Sequence, residues 1–140
     1  MNKRILPNTL RHSLLALIFL AGCASGGGKL LAPVGPANLS GGAPSGGYLL
    51  VYSATEEHND GGPMYYPHTS YRIYSQNGRY LRAVHNHISL SDELPEPVLL
   101  QSGQYMVHAT SEVDGPVIVP IIIASGRTTV VNLEGNRRGG

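Results

Sequence analysis

Tryptophan is absent from this sequence, and phenylalanine and cysteine occur once each. A core without Trp, and with one Phe, has to be filled by aliphatic side chains and by tyrosine, of which there are eight. One cysteine excludes an internal disulfide, so no covalent staple holds the fold. Charge is also scarce, at 14% of the chain. With Lys3, Arg4 and Arg11 set aside, seven basic residues stand against nine acidic ones, a balance that leaves no electrostatic footprint for nucleic acid. Glycine (18) and proline (10) are abundant instead, and strong helix formers do not cluster after residue 22. In 140 residues this composition suits one domain of short strands and many turns.

The lone cysteine has a telling position. Met1 to Ser13 carries Lys3, Arg4 and Arg11 without an acid, and Leu14 to Gly22 is unbroken and apolar. A charged n-region before a short h-region reads as a secretory signal. The run is about half of the roughly 20 apolar residues that a membrane-spanning helix needs. Cys23 follows at once. The stretch Leu20-Ala21-Gly22-Cys23 resembles the lipobox of bacterial lipoproteins. That resemblance implies cleavage between Gly22 and Cys23, a diacylglyceryl thioether on the Cys23 sulfur and an acylated new amino terminus. It implies no other cofactor. Stable anchoring needs more than one acyl chain, and a triacylated cysteine supplies it. Ala24, rather than aspartate, follows the cysteine, which by the same resemblance favours the outer membrane, on its periplasmic or its surface face. The alternative is an ordinary signal cut near Ala21-Gly22, leaving Cys23 as a free thiol open to oxidation.

Residues 23–46 are dense in Gly, Pro, Ser and Ala and show neither a strand nor a helix period. They read as a flexible spacer, with a typical reach of ~25–29 Å for about 23 residues. Docking of Leu30, Leu31 and Val34 onto the domain is the other reading. The domain itself is expected over 47–135, after a signal over 1–22 and before a flexible tail at 136–140. Strand-like runs lie at Tyr48–Ala54, Ser70–Ser75, Arg79–Leu90, Pro97–Gln101, Gln104–Thr110, Pro116–Ala124 and Arg127–Glu134. Asn77-Gly78 marks a hairpin between the second and third. Gly103, Gly115 and Gly126 sit in later turns. Alternation points Tyr105, Val107 and Ala109 inward, sets Tyr71 and Ile73 on one face opposite Arg72 and Tyr74, and gathers Thr129, Val131 and Leu133 on one face of the last run. Pro120 lacks an N–H, so its strand should lie at an edge or carry a bulge. About seven short strands indicate an all-β fold, a single small Greek-key sandwich.

The back half, Val98-Leu99-Leu100, Ser102-Gly103, Tyr105 to Ala109, Val117 to Ile123, Gly126 and Thr128 to Leu133, resembles the carboxypeptidase regulatory-like or transthyretin-like (prealbumin-like) sandwich domains. Their fold is thereby expected over about 47–135, with a role as spacer, binding module or adhesive unit rather than catalyst. Gly103 is expected to make a tight turn, and Tyr105 to bury its ring with its hydroxyl at a polar rim.

Chemistry-bearing residues are few. His85 and His87, two apart on an expected strand, would point to one side and could give two of the three or four ligands that zinc requires. His58 and His68 lie on the Thr55–Thr69 stretch with Glu56, Glu57, Asp60, Tyr65 and Tyr66, a mixture suited to a sugar, a calcium ion or a peptide. These four histidines are the candidate ligand or metal residues, against a plain reading as surface groups. No calcium-loop spacing, nucleophile elbow or phosphate loop occurs, and no catalytic residue is assigned. The expected partners are a membrane, reached through the lipid, and an envelope protein.

Overall fold

The computed structural model describes residues 27–37 and 45–135. The Gly22–Cys23 cleavage and lipidation site, the signal over 1–22 and the tail at 136–140 lie outside them. The described residues form eight strands and no helix: β1 (Lys29–Leu30), β2 (Gly46–Tyr52), β3 (Tyr71–Ser75), β4 (Tyr80–Val84), β5 (Val98–Gln101), β6 (Gly103–Ser111), β7 (Gly115–Ile123) and β8 (Thr128–Asn132). They make a sandwich of a five-stranded sheet, β1-β7-β6-β3-β4, and a three-stranded sheet, β5-β2-β8.

Alternating side chains build the core. Leu49 and Val51 of β2 and Val131 of β8 face Tyr71 and Ile73 of β3, Val107 of β6, and Val117, Val119, Ile121 and Ile123 of β7 across the sheets. Each is at most 2% exposed. Among the described residues Tyr71 is the one tyrosine wholly inside. The β6–β7 ladder runs without a break from Gly103↔Ile123 to Ser111↔Gly115. β2 pairs antiparallel with β5 and parallel with β8. The chain switches sheets between β5 and β6 through Ser102 alone.

Several expectations change in detail. Gly103 does not turn the chain: it is the first residue of β6 and is absent from the positive-φ glycines. At Asn77-Gly78 only Gly78 has positive φ (82°), while Asn77 bonds through its side chain to Ser75, so the hairpin is a longer turn closed by Ser75 N–H to Arg79 O at 2.9 Å. A register shift follows between Ile73 and Tyr74. The run Arg79–Leu90 is a strand only to Val84. Tyr105 packs half-buried against the core and donates its hydroxyl to the Gln101 carbonyl at 2.8 Å.

The largest departure is in the spacer. Residues 28–35 lie along the edge of β7 as a strap. β1 pairs parallel with Val117 and Ile118, Leu31 N–H donates to Ile118 O at 2.9 Å, Val34 N–H to Pro120 O at 2.9 Å, and Ile122 N–H to Val34 O at 2.9 Å. Leu31 and Val34 pack on the core, whereas Leu30 points outward, 65% exposed. The strap is fitted closely. A Cβ on Gly28 would meet the Pro116–Val117 backbone at 2.8 Å, and one on Gly35, at φ +128°, would meet Ile122 O at 2.4 Å. Pro120 fits here for a related reason. N–H and C=O of one strand residue project to the same side, so the donor it lacks would have faced the strap and not β6.

Candidate functional site

The two poles of the sandwich differ. One carries the turns Gln76–Arg79 and Ser125–Arg127, and the other carries the long connections and the first residues of the strap. All nine carboxylates, Glu56, Glu57, Asp60, Asp92, Glu93, Glu96, Glu112, Asp114 and Glu134, lie outside the strands. Contacts gather them at the second, loop pole. Glu112 Oε1 accepts from the Thr55 N–H (2.8 Å) and hydroxyl (2.9 Å). Glu93 Oε1 accepts from Tyr66 N–H at 2.9 Å, and Asp114 pairs with Lys29 at 2.7 Å.

The stretch Thr55–Thr69 is not an open loop. Glu56 N–H donates to Pro67 O at 3.0 Å, and His58 and Tyr65 exchange both backbone bonds at 2.9 Å, so two extended arms return upon each other. Asn59 accepts from Gly61 N–H at 2.7 Å and turns the tip, as a short polar side chain does in an Asx turn.

Beneath this arm sits a polar seat that ties three connections together. His68, 1% exposed, donates from Nδ1 to Ser53 O at 2.8 Å and places Nε2 3.3 Å from Glu134 Oε1. Tyr52 meets its ring edge-on at 5.6 Å. Asn86, fully buried, donates from Nδ2 to Val51 O (2.8 Å) and Ser53 Oγ (3.0 Å), and its Oδ1 accepts from Glu96 N–H at 3.2 Å. Its φ is +67°, the single positive value on a non-glycine residue among those described. Ser53 Oγ donates on to Thr69 O at 2.7 Å. His87 Nδ1 donates to His68 O at 2.9 Å. Two buried groups in this neighbourhood, Thr69 Oγ1 and Tyr71 OH, have no hydrogen-bond partner among the described residues. Burial pushes the Tyr71 hydroxyl well above the usual phenol range; Arg82 offsets this in part and Glu96 adds to it.

The four candidate histidines therefore take separate roles. His68 is enclosed, with both ring nitrogens facing acceptors, and braces the loop pole. His58 lies in the two-armed extension. His85 and His87 follow β4 rather than lie on it: His85 is exposed, Asn86 turns inward between them, and His87 is half-buried. Both still border one cleft of about 510 Å³ with Ile88, Leu90 and Glu96. Beside it the Ile88 and Leu94 amides hold the Asp92 carboxyl below its ordinary range. Among the described residues no three His, Cys, Asp or Glu side chains gather to hold a metal ion. Glu56, Glu57 and Asp60 are exposed on the arm.

A second cleft, about 340 Å³, lies on the outer face of the five-stranded sheet between Arg72, His108, Thr110, Pro116 and Gly28. His108 lies against the Tyr74 ring, centroids 4.2 Å apart and tilted 34°. Partial burial, helped by the Arg72 guanidinium, lowers the His108 pKa below its ordinary value.

Asn86, Ser53 and Glu134 drew no notice in the sequence. One signal was there to read: asparagine is among the few residues that enter the left-handed region readily, so Asn86 between two histidines marks a turn rather than a continuing strand.

No family model, curated protein or solved structure matches this chain. The fold rests on its own geometry, and the function on its residues.

Proposed function

We propose that this protein is a non-catalytic, lipid-anchored module of the bacterial cell envelope, held at the outer membrane through acyl chains on Cys23. The observation that carries the reading is Leu20-Ala21-Gly22-Cys23 directly after a charged n-region and a nine-residue apolar run. Such a cysteine becomes the first residue of the mature chain, and its acyl chains hold it by the transfer of many CH₂ groups, each contributing about 0.8 kcal/mol. The sandwich then serves as a binding or structural body, a use of the fold that the carboxypeptidase regulatory-like resemblance also suggests. Its partner is an envelope component met at the exposed turns and sheet faces.

The test is Cys23→Ser in the full chain. The wild type should take up labelled palmitate, partition with membranes and yield an acylated amino-terminal peptide in mass spectrometry. The variant should do none of these. An unmodified Cys23 in membrane-free wild-type protein removes the reading.

The cleft bordered by His85, His87 and Glu96 supports a second reading, binding of a metal ion or of a sugar. Titration with Zn²⁺ and with a panel of envelope oligosaccharides, repeated on His85→Ala and His87→Ala, tests it. Heats that do not change with the substitutions count against it.

A further inference from the structure

We propose that residues 28–35 are a fixed root for the anchor, standing the sandwich on the bilayer with its loop pole toward the lipid headgroups. This rests on the anchoring reading above and adds an orientation and a stand-off distance to it.

The argument is one of chain length. The strap meets the body at the loop pole, where Gly28 lies against Pro116 and Lys29 pairs with Asp114 at 2.7 Å. It then climbs β7 and reaches Ile122, near the opposite pole, at Gly35. The length of chain that joins Cys23 to the body, its leash, is therefore not the whole of 23–46. It is the five residue steps from Cys23 to Gly28, which span at most roughly 18 Å when fully extended. The poles are separated by the nine residues of β7, about 27 Å at ~3.3 Å per residue. An inverted domain would lift Gly28 farther from the lipid than the leash can reach.

Charge opposes this stance on an anionic bilayer, so the length of the leash is what imposes it. The leash emerges among the carboxylates of the loop pole, while the far pole carries Arg79 and Arg127 and no acid. On an anionic bilayer the carboxylates push the body out toward the end of its leash. This repulsion acts over a Debye length of about 10 Å at 0.1 M salt, which lies within the leash. The turns Gln76–Arg79 and Ser125–Arg127 are then what the protein presents to the space beyond the membrane.

The experiment uses the mature chain, residues 23–140, on phosphatidylcholine vesicles with headgroup-quencher lipid. A fluorophore is carried on an unnatural amino acid at position 113 (loop pole) or 76 (far pole). The anchor is either the cell's own acylation or a maleimide lipid coupled to Cys23, so the geometry is tested even if the cell leaves Cys23 unmodified. In that event the anchoring reading fails and the orientation is still decided. The expected result is quenching several-fold stronger at 113 than at 76. On vesicles containing phosphatidylglycerol, quenching at 113 should rise with salt. Ten Gly/Ser residues inserted after Ser25 lengthen the leash without touching the fold and should at least halve the contrast. Equal quenching at the two positions, stronger quenching at 76, or a contrast that survives the insertion overturns the proposal.

Discussion

Replacing Asn86 tests the seat beneath the loop pole. Asn86→Gly deletes three shorter hydrogen bonds, to Val51 O, to Ser53 Oγ and from Glu96 N–H, and a long one to Thr69 O at 3.4 Å, while keeping a residue that accepts φ +67°. At about 0.5–1.5 kcal/mol net per bond the loss is about 2–4 kcal/mol. The Val51 carbonyl loses this donor in a buried site, which argues for the upper half of that range. Asn86→Ala deletes the same bonds and adds a Cβ in the left-handed region, for a further 1–2 kcal/mol or so. A domain of this size holds only about 5–13 kcal/mol in total, so the alanine variant should be close to half-spent. Urea unfolding followed by tyrosine fluorescence would report both values from the midpoint shift at constant m. The order wild type, glycine, alanine is the result expected. Glycine and alanine variants of equal stability would refute the backbone part of the reasoning. Both within about 0.5 kcal/mol of wild type would refute the seat itself.

Other predictions follow from single contacts. Tyr71→Phe should stabilise the protein by about 1 kcal/mol or more, because it removes a buried hydroxyl that has no partner; a lower midpoint in thermal unfolding would mean that the hydroxyl is bonded. His108 has its folded pKa lowered, so the unfolded chain takes up its proton first as pH falls. Stability should therefore drop as pH falls below about 6.5, and His108→Gln should flatten that slope relative to wild type in urea midpoints taken from pH 7.5 to 5. Gly35→Val should force the strap from β7, since its Cβ would sit 2.4 Å from Ile122 O; hydrogen exchange at the Leu31, Val34 and Ile122 amides should then rise at least tenfold, and unchanged protection would show a strap held by other means. Lys29→Ala should cost no more than about 0.5 kcal/mol, because the Lys29–Asp114 pair is exposed.

Strand content was legible because period-two alternation is a local property. In β6 it named the buried face, with Val107 and Ala109 inside, and in β3 and β8 it sorted onto one face Tyr71 with Ile73 and Thr129 with Val131, the residues that are buried. The strap was legible only as the alternative docking of Leu30, Leu31 and Val34, of which Leu31 and Val34 do pack on the core; its strand pairing was not, because its apolar content is slight and its strand character comes from β7. Leu31 and Val34 gain an ordered backbone only once Ile118, Pro120 and Ile122 present an edge to bond with. Gly28 and Gly35, which look like linker glycines in the sequence, are small because another backbone runs beside them. The candidate histidines were found by type, but type does not distinguish a ligand from a brace. His68 becomes a brace only where Ser53 O and Glu134 meet its two nitrogens, and those partners lie 15 and 66 positions away in the chain.

By itself, then, the sequence determined the all-strand character, the inward faces and the position of its one thiol behind an apolar run. These follow from the order of neighbouring side chains, which local patterning records. Only the tertiary structure decided that part of the spacer is a strand, that the nine carboxylates share a pole, and that Asn86 rather than a histidine pair organises it. Those depend on contacts between distant segments, and a chain's local order does not encode which of its edges will meet.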